Sequence, residues 1–218
     1  MVTASRLAAR VHNASDAQVL DLLEVLLLLA TPRAAVLAEA FDIPPAPTAN
    51  RPLSIGLLNV PEQSPGAAMR RVMADVARVL GEQGHGVTQV ECPVSFPDMI
   101  DRHRTVMLHE MARNLSHVVQ GREELLQPRF RDALADGTLI GSSVRDEAMS
   151  WIERTRAAFW PAMSGFDVVL SCPVPDAAPK GLATTGDQSY LTPWTALGGP
   201  LVSLPAGLDI DGMPLGVL

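Results

Sequence analysis

The sequence predicts an α/β fold built around parallel strands, and three observations carry that reading. Short apolar runs bounded by turn residues lie at Leu53-Ser-Ile-Gly-Leu-Leu-Asn59, Val87-Thr-Gln-Val-Glu-Cys92 and Phe166-Asp-Val-Val-Leu-Ser-Cys172, each the size of a buried strand. Between the first two, Met69, Val72, Met73, Val76 and Leu80 recur at helical spacing and give one apolar face. Strand, amphipathic helix, strand is the local grammar of a parallel pair, because parallel neighbours need a crossover connection.

Taken in order, Ser15 or Asp16 can cap a helix through Leu20, Leu23 and Leu27 that ends near Thr31-Pro32, and a short helix from about Arg33 to Phe41 follows. Ile43-Pro-Pro-Ala-Pro-Thr48 cannot be helix interior and reads as a connector. Residues 1–50 are therefore expected to be a helical lead-in and linker to an α/β portion at 51–218, together a single incomplete domain.

After the first strand, Ser64-Pro65 is expected to supply an N-cap and a first-turn proline, while Gly81 and Gly84 stop the helix. Pro97 to Gly165 reads as three helices broken at Gly121 and around Gly137 to Gly141. The last carries Val144, Ala148, Trp151, Ile152, Thr155 and Phe159 on one face. A loop from Pro173 to Asp187 leads to a short helix near Tyr190 to Leu197, then to a strand-like Pro200-Leu-Val-Ser-Leu-Pro205. Asp211-Gly212 is a hairpin signal, and the strand after it has barely begun at Leu218. The runs near Leu53–Leu58, Val87–Glu91, Asp167–Leu170 and Leu201–Leu204 are expected to share one sheet. The half-made last strand leads to the expectation of a fragment that has lost its N-terminal half.

Composition narrows the function classes. Among 218 residues, 47% are hydrophobic and 19% charged, which fits a globular chain rather than a disordered one. The net charge of −7 and the absence of a basic cluster exclude a phosphate-binding surface, so no nucleic-acid partner is expected. The greasiest run, Val19 to Ala30, is short and carries Asp21 and Glu24, whereas a span needs about 20 apolar residues, so no membrane partner is expected either. Cys92 and Cys172 stand far apart without metal-ligand spacing and read as thiols in a reducing cytoplasm, with no signal peptide ahead of them.

Candidate chemistry is sparse. Gly141-Ser142-Ser143 could suggest a nucleophile loop, but Ser143 followed by Asp146 fits a capping box better. His109-Glu110 opens like a zinc-protease helix, but Arg113 stands where the second histidine would be needed, so no metal is expected. Lys180, the single lysine, lies in a Pro/Gly-rich loop and reads as a solvated surface residue. Gly81-Glu-Gln-Gly-His-Gly86 reads as a helix end rather than a dinucleotide loop, and no cofactor is expected. Asp187, Tyr190 and Trp194 share an irregular segment between two apolar strands, where pocket-lining and plain packing are evenly matched.

Four segments resemble the amidase-signature family. The most specific is Thr185-Gly-Asp-Gln-Ser-Tyr-Leu-Thr-Pro-Trp-Thr-Ala-Leu-Gly-Gly-Pro-Leu-Val-Ser-Leu-Pro-Ala-Gly207, continuing to Gly212-Met-Pro-Leu-Gly-Val217. It is similar to the family's polar loop, short helix, Gly-x-Pro and closing Gly-x-Pro-x-Gly strand. Phe166 to Pro173, the strand–helix–strand from Leu53 to Val87, and Ser15 to Leu29 match in the family's order.

The resemblance implies a mixed central sheet flanked by helices and hydrolysis of carboxylic amide C–N bonds by a Ser–Ser–Lys triad acting on small-molecule amides. The family's triad lies N-terminal to the matched region, so no catalytic residue carries over, and the chain is expected to be inactive alone. The alternative is a non-catalytic α/β partner or binding module completing another chain. The matched part implies a substrate-pocket wall, with Thr185, Asp187, Tyr190 and Trp194 as its residues. Gly199 stands where the family more often carries a larger apolar side chain.

Overall fold

The computed structural model describes residues 51–181, 184–199 and 201–218. The lead-in helices and linker expected within 1–50 lie outside the described residues. A three-stranded parallel sheet forms the centre, ordered β2-β1-β3: β1 is Ser54–Asn59, β2 Gly86–Glu91 and β3 Val168–Leu170. Ile55 sits opposite Val87 on one side and Val168 on the other. Central β1 can be nearly all apolar because both of its faces are covered.

Helix α1, Ala67–Glu82, makes the crossover from β1 to β2. Its face of Met69, Val72, Val76 and Leu80 packs with Ile55 and Leu170 into one core. On the other face lie α2 (Phe96–Val119), α3 (Pro128–Leu139), α4 (Ser142–Ala162) and the short α5 (Thr192–Leu197). There Leu58, Phe96, Met99, Ile152, Phe159 and Trp194 build a second core. The alternation of Ile55 and Leu58 between the two cores follows from the two-residue period of a strand. Gly56 points to the second core without a side chain, and Phe166 fills the space; a Cβ there would come within 3.0 Å of the ring.

The expected helix breaks are present, with two corrections at helix starts. The N-cap of α1 is Gly66, not Ser64: Gly66 donates to Pro175 O at 2.7 Å, and its place against Asp176 leaves no room for a side chain. A tertiary contact thus sets the start two residues later than the local signal. The N-cap of α4 is Gly141, not Ser143. The Gly141 carbonyl accepts from Val144 and Arg145, while Asp146 pairs with the Arg145 guanidinium at 2.9 Å instead of closing a capping box. Of the face anticipated on α4, Ala148, Ile152 and Phe159 are buried, and Val144 is half exposed.

The expectation of one shared sheet is also corrected. Residues 201–203 are not strand, and β4 (Leu204–Leu208) forms a separate antiparallel sheet with β5 (Pro214–Val217). The Asp211-Gly212 turn joins them as the sequence signalled, with Gly212 at φ +78°. This hairpin lies over α1: Leu215 and Val217 enter the α1 core, and a Cβ on Gly207 would sit 2.9 Å from Val72 Cγ2. It is hydrogen-bonded to the end of the central sheet where Ser171 and Leu218 each donate a backbone N–H to the other's carbonyl, at 2.8 and 2.9 Å. Helix α1 satisfies the hairpin's apolar face, which a two-stranded sheet cannot bury by itself.

Candidate functional site

The loops that follow the three parallel strands, 60–66, 92–95 and, among the described residues, 171–181 and 184–191, gather at their carboxyl edge. The chain leaves β1 for α1 on one face of the sheet and leaves β2 for α2 on the other, so the loops after β1 and β2 diverge. A crevice at that divergence is where open α/β sheets take ligands.

The 60–66 loop is held from several sides. Gln63 donates its backbone N–H to Val60 O at 2.9 Å, and Gly66 is stitched to Pro175 in the loop after β3. The Tyr190 phenol is buried and its pKa is raised, by burial first and then by neighbouring Cys172, against the opposing Ser64 backbone N–H. Tyr190, Cys172 and Ser64 therefore meet where the two loops touch. Cys172 donates its Sγ–H to Val174 O at 2.8 Å, and burial pushes its pKa to about 11. Cys92 is likewise raised to about 11 by burial, and both cysteines are free thiols.

Two cavities flank this loop. The larger, about 500 Å³, lies toward α1 and is lined by residues including Leu57, Asn59, Gln63, Arg70, Met73 and Cys172. The smaller, about 270 Å³, lies toward α2 and is lined by Gln63, Phe96, Ile100, Asp101 and Ser189, among others. Gln63 borders both, and its side-chain Nε2 is buried without a hydrogen-bond acceptor among the described residues.

The four residues nominated from the sequence are not brought to one point. Tyr190 enters the core beneath α1. Trp194 enters the other core, edge-on to Phe96 and Phe159 with ring centroids 5.9 and 5.8 Å away. Thr185 and Asp187 are exposed on the preceding loop, where Asp187 Oδ1 accepts the Ser189 N–H at 2.8 Å and sets the turn into α5. Arg156 closes the far end of α5 by donating to Ala196 O at 2.7 Å, a favourable place for a cation. Gly199 has φ +110°, and a Cβ would come within 2.7 Å of Trp160, so the indole fills the space of a larger residue there.

Gln63, Arg70 and Ser189 carry no motif in the sequence. The available signal was positional, since Gln63-Ser64-Pro65 joins a strand end to a helix start. Lys180 is 82% exposed in its side chain and pairs with Asp211 at 3.0 Å. His109 Nδ1 lies 2.8 Å from Ile140 O and ties α2 to the end of α3. Among the described residues no cluster of three or more His, Cys, Asp or Glu side chains could hold a metal ion, and no helix is long and apolar enough to cross a membrane.

A family model described as Amidase matches residues 30–218. No curated protein matches the chain. Among solved structures, one described as an amidase is 23% identical at TM-score 0.67, covering 78% of this chain and 42% of that one. A bacterial aryl acylamidase of the amidase-signature enzymes is 18% identical at TM-score 0.62, covering 77% and 39%. A 6-aminohexanoate cyclic dimer hydrolase complexed with substrate is 20% identical at TM-score 0.62, covering 81% and 45%. The chain thus spans less than half the length of each of these proteins, and at these identities the likeness is one of fold.

Proposed function

The chain belongs to the amidase family, and from that premise we propose that it supplies the non-catalytic, substrate-side wall of an amide C–N hydrolase whose Ser–Ser–Lys machinery comes from a separate segment. The observation that carries this reading is the family match over residues 30–218, joined to a carboxyl-edge crevice that has no serine–lysine pair beside it. The chain's single lysine is engaged by Asp211 on an exposed surface, and Ser142 and Ser143 are exposed on the first turn of α4, on the helical side of the sheet.

In such a hydrolase a serine Oγ attacks the amide carbonyl, its proton passing through the second serine to lysine, which returns it to the departing amine. Water then releases the acid from the acyl-enzyme. This chain's part is to shape the pocket, with Thr185, Asp187, Tyr190 and Trp194 on or beneath its wall. Tyr190 and Trp194 act by fixing the loop between β3 and α5 to the two cores, which sets the position of Thr185 and Asp187. The substrate class is a small-molecule amide, and the free thiols suit work in a reducing cytoplasm.

The open outer edge of β2 favours a second reading, in which the chain is a non-catalytic partner that another polypeptide completes. β2 pairs only with β1, leaving one side of its backbone unpaired among the described residues. One experiment tests both. The purified chain is assayed on a panel that includes an aryl acyl amide and a cyclic amide, alone and with a family-type Ser/Lys-bearing segment added in trans. Silence alone with turnover on addition is expected. Turnover by the chain alone that survives loss of Lys180, Ser142 and Ser143 would overturn the proposal, and stable association without turnover would favour the partner reading.

A further inference from the structure

The 500 Å³ cavity beside α1 has a composition that selects a ligand class. Its apolar wall comes from Leu57 at the end of β1, Pro65 in the turn after it, Met73 and Ala74 from α1, and Cys172 at the end of β3. Among the described residues its one charged lining residue is Arg70, one turn into α1. The only contact of the Arg70 guanidinium among the described residues is from Nη1 to the Pro65 carbonyl, leaving the rest of its fork of donors unused. Gln63 adds a second unused donor, its buried Nε2.

The nearest carboxylate on the sheet, Glu91, is already engaged, since both its oxygens accept from Asn59 Nδ2 at 2.8 and 2.9 Å. Asn59, Ser64 and Gln89 add neutral polar groups to the lining, but among the described residues the one charge is the Arg70 guanidinium and the one orphaned donor is the Gln63 amide N–H. That pair matches a group that accepts hydrogen bonds and carries a negative charge. A carboxylate attached to an apolar body meets both conditions. An ammonium ion would face Arg70, and a neutral amide would leave the charge unanswered.

We propose that this cavity is a binding site for a small apolar carboxylic acid, its carboxylate held by Arg70 and Gln63 and its hydrocarbon body against Leu57, Met73 and Ala74. The binding stands on this chain alone. Only its meaning rests on the reading above, since an acid is one of the two products of amide hydrolysis and the cavity would then retain or sense product.

The test titrates the 218-residue chain with 4-phenylbutyrate, 4-phenylbutanamide and 4-phenylbutylamine by calorimetry, and maps the site by NMR shifts. Saturable binding of the acid is expected, with shifts centred on residues 57–65 and 70–74, and binding of the amide and the amine at least tenfold weaker. Arg70→Gln should weaken acid binding at least tenfold while Arg70→Lys retains most of it. Ala74→Trp, a change at an exposed position on the cavity wall, should block binding without loss of the folded signal. Equal affinity for acid and amide, an unchanged Arg70→Gln variant, or no saturable binding by the wild-type chain would overturn the proposal. Because no turnover is measured, a failed complementation assay leaves this result standing, and the reverse also holds.

Discussion

Asp167 binds Arg51 and the first residue of β1 with one carboxylate: Oδ1 lies 2.5 Å from Arg51 Nη2, while Oδ2 accepts from Arg51 Nη1 at 3.0 Å and from the Ser54 N–H at 2.9 Å. The Arg51 hydrogen bond, then the Ser54 N–H, hold the Asp167 pKa down at about 2. An unfolded chain has an aspartate near 3.9. A folded pKa below the unfolded one contributes stability that is fully present above about pH 4 and is lost as pH falls toward 2. Thermal melts of wild type and Asp167→Asn from pH 6 to pH 2 should therefore differ most at the upper end and converge at the lower. A gap that stays constant across that range would mean the ion pair is not the source.

Gly137 lies inside α3, where alanine would ordinarily stabilise a helix by about 1 kcal/mol. Here the sign should invert. A Cβ at this position would fall 2.2 Å from Leu108 O and 2.8 Å from Ala112 Cβ, both on α2. The two helices would have to separate, and overpacking of this kind costs about 1–3 kcal/mol. Urea midpoints for Gly137→Ala should move down; a rise would show that α2 and α3 have slack.

The two serine-led helix starts should respond differently. Ser95 Oγ accepts the Asp98 N–H at 3.2 Å, a true side-chain cap, so Ser95→Ala should cost about 1 kcal/mol. Ser143 caps nothing in α4, and Ser143→Ala should fall within about 0.5 kcal/mol of wild type. Chemical denaturation of the two variants side by side checks the pair, and an equal loss in both would contradict the assigned N-caps.

Much of this was legible in the residues themselves. The runs containing Ile55, Val90 and Val169 became the three parallel strands, because short apolar stretches between turn residues have few other ways to be buried. Met69, Val72 and Val76 announced α1 by spacing alone. The helix starts were less legible, since Ser64 and Ser143 carry the right side chains but tertiary contacts at Gly66 and the geometry of Gly141 decide the ends. Ser95-Phe-Pro-Asp98 carries an equally good capping signal, and there the side chain does cap the helix. Strand pairing was the larger gap: period-two alternation does not say which sheet a strand joins, and the partner of Leu204–Leu208 was the short run only ten residues on. The site was least legible of all. Tyr190 and Trp194 look alike as aromatics in one loop, and only packing sends one to each core. Gln63 has no motif; it stands out only because its buried amide lacks an acceptor.

Helix α1 is enclosed by two sheets, and the second of them, the hairpin, comes from the far end of the described chain, which bears on the order in which the molecule can be assembled. Helices α2, α3 and α4 meet neighbours close in sequence, and such contacts form early. The apolar side of α1 that meets Gly207, Leu215 and Val217 has no cover until the hairpin has been synthesised and has closed over it. A nascent chain would carry a finished helical layer beside an open, sticky flank, held until the Ser171–Leu218 stitch forms. Chaperone dependence during synthesis should therefore track the hairpin: changes that weaken the Asp211-Gly212 turn would lower soluble yield more than they lower the melting temperature of the protein already folded.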